Sequence, residues 1–154
     1  MKKIMVVFAI LFATTAFGQD LSEFVKDLKV DLKAQKVEYI KKGMVTFTNE
    51  EATLFWPIYN QYSAELGKFV DARLALIRDY AEEYDTMTDA KANELITRRL
   101  SIQKQRAALD EEYRAKFATA LSPRRLARFY QIEHELDLLI ELQVVSQIPK
   151  MKWW

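Results

Sequence analysis

The chain has 154 residues, with 23 Lys and Arg against 22 Asp and Glu, one His and no Cys. Half of it is apolar and only three Gly and three Pro occur, which excludes a disordered or collagen-like chain and disfavours an all-β fold, whose turns need such residues every few positions. The absence of Cys removes disulfide frameworks, thiolate zinc sites and thiol nucleophiles together, and a single His leaves no His pair. The length suits one domain.

The first element reads as an address. Lys2 and Lys3 precede an apolar run from Ile4 to Ala13, too short to span a bilayer as a transmembrane helix. Ala16-Phe17-Gly18 places small residues where a signal peptidase reads, so residues 1–18 are expected to be a signal peptide cleaved after Gly18. A retained membrane anchor is the competing reading, and no Cys follows to make a lipoprotein. Removing Lys2 and Lys3 leaves 21 basic against 22 acidic residues, about −1 overall. That balance supplies no basic footprint for nucleic acid. Export without Cys points to the periplasm, where no nucleotide triphosphate is expected to drive a cycle.

Every later segment has helical spacing, and residues 19–148 form the expected helical domain. Segment one, from about Leu21 to Lys42, repeats Leu21, Phe24, Val25, Leu28, Leu32 and Tyr39 at mostly three- and four-residue steps, with Gly43 as its expected stop. Segment two opens on Thr48-Asn49-Glu50-Glu51, a capping box, and carries Phe55, Tyr59, Tyr62, Leu66, Phe69, Leu76 and Tyr80 toward Tyr84. Pro57 should bend it without breaking it, because the apolar stripe keeps its phase. Thr86-Met87-Thr88-Asp89 punctuates the chain before segment three, about Ala90 to Ala120, with Leu95, Ile102, Leu109, Tyr113 and Phe117. Ser122-Pro123, a capping hydroxyl before a Pro at the first helical position, starts segment four through Leu126, Phe129, Tyr130, Leu136, Leu139, Ile140 and Val144. Residues 149–154, ending in Trp153-Trp154, are expected to be a mobile tail.

Four amphipathic helices of unequal length must pack on one another or on a second chain. The mismatch predicts an all-α fold, four helices in an elongated, curved helical hairpin arrangement, with dimerisation covering the leftover apolar surface.

Chemistry has few residues to live on. His134 and Asp137 share a helix face, but Gln131 stands where a di-metal Glu-x-x-His pattern needs Glu, so a solvated face is the stronger reading and no metal or other cofactor is expected. Glu82-Glu83 and Glu111-Glu112 diverge by about 100° around a helix and read as surface charge. No phosphate loop, nucleophile elbow or triad is present, so no enzyme activity and no catalytic residue is expected. The basic cluster of Arg98, Arg99, Lys104 and Arg106 reads two ways. It is a face neutralised by acids such as Glu94 and Asp110, or, with Ile102 and Leu109, a surface on which Arg98, Arg99 and Arg106 steer a client segment held by apolar contact.

Phe47-Thr48-Asn49-Glu50-Glu51 and Leu121-Ser122-Pro123-Arg124-Arg125 share an apolar residue, a hydroxyl cap and a helix start. The pair resembles the Leu-Thr-x-x-Gln motifs of the Spy/CpxP family of periplasmic chaperones and envelope stress proteins. The resemblance makes Phe47, Thr48, Glu51, Leu121, Ser122 and Arg125 the motif positions. It implies a helical, cradle-shaped homodimer that binds non-native proteins without ATP in an envelope stress response, or an adaptor that contacts a membrane sensor or anti-sigma protein. A carboxylate-based divalent-metal buffer is a third, weaker reading. Glu51 and Arg125 depart from the motif's Gln. Glu51 keeps the capping box, whereas Arg125 cannot accept the reciprocal backbone bond, so the second motif is expected to keep only its Ser122 cap.

Overall fold

The computed structural model describes residues 35–151 except residue 147, and its described residues are all helix, turn or coil. The expected signal peptide, the stripe from Leu21 to Leu32 and the terminal Trp153-Trp154 lie outside the described residues. Helix α1 is described over residues 35–43. It is followed by α2 (Asn49–Glu82), α3 (Asp89–Phe117) and α4 (Pro123–Val145). The fold is all-α, with four helices forming a bundle.

The helix starts follow local chemistry. Thr48 Oγ1 accepts the Glu51 amide at 3.1 Å while the Glu51 carboxylate accepts the Thr48 amide at 3.0 Å, closing the capping box predicted from the sequence. At α3 the cap is Thr88, whose hydroxyl accepts the Lys91 amide at 3.2 Å. Ser122 differs from expectation: it occupies the N-cap of α4 with Pro123 at the first position, but its side chain makes no capping hydrogen bond. The fixed φ of Pro123 alone pre-sets this start. Helix α2 runs unbroken through Pro57, and its buried Phe55, Tyr59, Tyr62 and Leu66 hold one face across it.

The α1–α2 joint also departs from expectation. Helix α1 does not stop on a left-handed glycine. The residue with positive φ is Val45, at 67°, with the Thr46 amide donating to the Met44 carbonyl at 2.9 Å, a strained γ-turn around a β-branched residue. Gly43 serves a different need: a Cβ there would lie 2.5 Å from Ile132 Cδ1 and 2.9 Å from Cγ1. It is glycine because α4 passes against the backbone.

The core gathers at one end, here termed the proximal end, where α1 meets the start of α2, the end of α3 and the start of α4. Phe55 is fully buried, with ring centroids of Phe47, Trp56, Tyr59, Phe117 and Phe129 between 4.9 and 5.7 Å away. Such offset and edge-on pairs each add about 0.5–1.5 kcal/mol beyond the area buried. Ile40, Met44, Tyr62, Leu121 and Ile132 complete this knot. The distal end, near the α2–α3 turn, is thinner, its buried side chains including Ile77, Leu95 and Val144. There Tyr80 and Tyr84 donate to the carbonyls of Pro149 and Lys150 at 2.8 and 3.0 Å, tying the segment after α4 to the end of α2.

Candidate functional site at the junction of the two helix starts

The two motif segments, separated by 69 residues in sequence, meet at the proximal end. Arg125 Nε lies 2.7 Å from Glu51 Oε1 as an ion pair, although its N–H is not directed along a hydrogen bond. The same guanidinium donates to the Thr46 carbonyl at 2.8 Å and lies 5.3 Å from the centroid of the Phe47 ring. Glu51 therefore serves both motifs, capping α2 through one oxygen and holding α4 through the other. Leu121 is buried beneath them. The two departures from the Leu-Thr-x-x-Gln pattern are complementary: a glutamate in one motif faces an arginine in the other. Reading each motif alone, the sequence offers no sign of this.

Helix α4 also anchors α1. Arg128 donates through Nε to the Gly43 carbonyl, and Tyr39 donates to Glu135 at 3.2 Å, a bond that raises the Tyr39 pKa above its ordinary value. Lys36 pairs with Glu133 at 3.2 Å and with Asp137 at 3.7 Å. Glu133 is 2% exposed, and its burial raises its pKa despite the Lys36 ammonium, because a carboxylate removed from water favours the neutral form. Its neighbour Tyr59 is raised as well, first by burial and then by the Glu133 charge.

The basic cluster divides. Arg106 forms ion pairs with Asp110 and, at 2.8 Å, with Asp137, and lies 5.6 Å from the centroid of the Tyr62 ring. Burial alone would lower its pKa, but Tyr62, Asp137 and Asp110 reverse that and hold it raised. Tyr62 donates to Asp110 at 2.6 Å, and Tyr130 donates to the Asp110 carbonyl at 2.9 Å, its own pKa pushed up to about 12 by burial and then by Asp110. Arg106 is thus the centre of a polar lock between α2, α3 and α4. Leu109 is buried in the core and Ile102 is half-buried. Arg98 is paired with Asp79 and Glu94. Of the expected client-binding residues, Arg99 alone is exposed. The acids named in the neutralised-face reading, Glu94 and Asp110, are those that engage Arg98 and Arg106.

His134 is exposed, and Asp137 beside it is engaged by Lys36 and Arg106. Among the described residues no group of three or more His, Asp or Glu is arranged to hold a metal ion, and no helix is long and apolar enough to cross a membrane.

A feature the sequence reading missed lies on α4. Leu138, Leu139, Leu142 and Val145 are 52, 54, 69 and 50% exposed. Leu138, Leu142 and Val145 line the side of the helix away from Phe129, Ile132, Leu136 and Val144, while Leu139 stands at the edge between the two, seven residues after Ile132. The expected single stripe included Leu139 among its core residues, and it is exposed. The signal was present in the sequence: past Leu136 the helix is apolar on more than one face, which a lone bundle does not bury. Ile96 and Leu100, four residues apart on α3, are exposed at 57 and 55%.

No protein-family model, no curated protein and no solved structure matches the chain.

Proposed function

We propose that this is an exported helical protein that binds apolar segments of other proteins without nucleotide, in the manner of the Spy/CpxP-like periplasmic chaperones its paired motifs resemble. The observation that carries the reading is the α4 face of Leu138, Leu139, Leu142 and Val145, half or more exposed in a single folded copy. An apolar strip of this kind, close to the polar residues Glu135 and Glu141, is the usual chemistry of a protein-binding surface. In this reading the elongated bundle is a curved homodimer, and the partners are non-native proteins of the periplasm. An apolar client needs no metal, cofactor or catalytic group to be held.

The test is suppression of aggregation of an unrelated denatured protein by the processed chain at stoichiometric ratio, beside a Leu138→Asp/Leu142→Asp variant. Protection by the native chain and its loss in the variant, at unchanged melting temperature, supports the reading. Absence of general protection overturns it in favour of a dedicated adaptor for one membrane sensor or anti-sigma protein.

A further inference from the structure

Helices α1 and α4 run antiparallel, and their facing pairs fix a register. Arg128 donates to the Gly43 carbonyl, Tyr39 donates to Glu135 at 3.2 Å, and Lys36 lies 3.7 Å from Asp137. Each step back along α1 thus advances a similar step along α4. Under α1 this side of α4 is polar, with Arg128, Gln131 and Glu135. Past Asp137, the last α4 residue paired with the described part of α1, the same side turns apolar. Leu138, Leu142 and Val145 are 52, 69 and 50% exposed there. At 100° per residue, these three and the three polar residues before them all fall within about 100° around the helix. The exposed strip begins where the cover of α1 ends.

The sequence that precedes the described part of α1 carries a matching pattern. With helical spacing, Leu21, Val25, Leu28 and Leu32 fall within about 60° of one another and in phase with Tyr39, whose hydroxyl meets Glu135. No Gly or Pro occurs from Leu21 to Lys42. Continued through this segment, the antiparallel register sets Leu32 level with Glu141, between Leu138 and Leu142, and Leu28 level with Val145. Residues 21–34 would span about 20 Å as a helix, more than the roughly 12 Å by which α4 advances from Asp137 to Val145.

We propose that the apolar strip of α4 is the docking site of residues 21–34 of the same chain, laid along it as a continuation of α1. Leu21, Val25, Leu28 and Leu32 then remove from water the side chains of Leu138, Leu142 and Val145, which the described residues leave exposed. The tether through α1 holds the segment over the strip at an effective concentration of the order of millimolar, so a free apolar segment must compete with it. The strip is the surface assigned above to clients, and a client enters it by displacing the chain's own cover. That consequence rests on the proposed function, whereas the seating of residues 21–34 stands on register and phase.

The chain has no Cys, so two introduced cysteines can form only the intended bridge. On mild oxidation Leu28→Cys/Val145→Cys should close a disulfide within one chain, since bridging needs Cα atoms within about 7 Å. Asp31→Cys/Val145→Cys, with its first cysteine on the opposite side of the segment, should stay reduced. Non-reducing gels and mass spectrometry separate a bridge within one chain from one between two, and circular dichroism should show both variants folded. Closure of neither pair, or of both equally, overturns the docking. A bridge found only between two chains gives the strip to a second copy and overturns it as well. In the aggregation assay above, run with a denatured protein that lacks cysteine, the closed Leu28→Cys/Val145→Cys chain should lose protection and regain it with reductant. Protection that the closed bridge leaves unchanged keeps the docking and removes the strip as the client site. Protection by a chain that forms no bridge keeps the proposed function and removes the docking.

Discussion

The ion pair between Glu51 and Arg125 is the contact on which the joining of the two motif segments depends, and a double-mutant cycle measures it. The two side chains are 19 and 28% exposed, so their coupling should reach the upper part of the range for surface pairs, about 1 kcal/mol. Glu51→Gln retains an acceptor for the Thr48 amide and should cost that coupling alone. Arg125→Gln also removes the bond to the Thr46 carbonyl and the contact with the Phe47 ring, for about 2 kcal/mol in all. The double variant, with Gln at both motif positions, should lose about 2 kcal/mol and not the 3 expected of independent sites. Urea unfolding at fixed protein concentration gives the three differences, the fixed concentration keeping the proposed dimer from entering the comparison. A coupling within about 0.3 kcal/mol of zero would mean that the ion pair adds nothing to the joint, which then rests on the contacts of Arg125 with Thr46 and Phe47.

Substitutions at Val45, Gly43 and Glu133 probe the joint and the buried carboxylate. Val45→Gly relieves a β-branched residue held at φ 67° and should raise stability by about 1 kcal/mol in thermal melts, whereas Val45→Thr, equally branched, should give no gain. Gly43→Ala should cost about 1–3 kcal/mol through the clash with Ile132, and adding Ile132→Val, which removes the closest atom, should recover part of it. Glu133→Gln tests the buried charge. The folded chain holds the Glu133 proton to higher pH than the ordinary value of 4.5, so this group's contribution to stability falls as pH rises from about 4.5 through its folded value. The Gln variant should therefore gain on the native chain more at pH 7.5 than at pH 5 in urea titrations. An equal difference at both pH values would show that Glu133 titrates normally.

Element type and order were legible because α2, α3 and α4 each carry a cap residue and a three-to-four stripe; α2 was drawn to Tyr84 and ends at Glu82. The aromatic residues Phe55, Tyr59 and Tyr62 were identifiable as core by spacing alone. Local signals failed where a distant segment decides the outcome. Gly43 looked like a helix stop because glycine commonly is one, but its size is set by Ile132, 89 residues away. Arg106 reads as a surface cation beside Lys104 and Gln105, and it is claimed by Asp137 of α4 and the Tyr62 ring of α2. Ser122 has the right residue type for a cap and makes no capping bond, while Pro123 at the first helical position keeps the start in place. The α4 face was masked by a reading that looked for one stripe where the helix carries more.

The crowding of rings at one end, against the single Tyr80–Tyr84 pair described at the other, makes the molecule uneven in firmness. Amide hydrogens around Phe55, Phe117 and Phe129 should exchange only when the whole chain unfolds, whereas those beyond Leu136 should exchange through smaller, cheaper openings. The greasy strip of α4 belongs to the thinner half, so under the function proposed above its neighbours would shift to admit guests of different outline while the anchored half keeps the molecule whole.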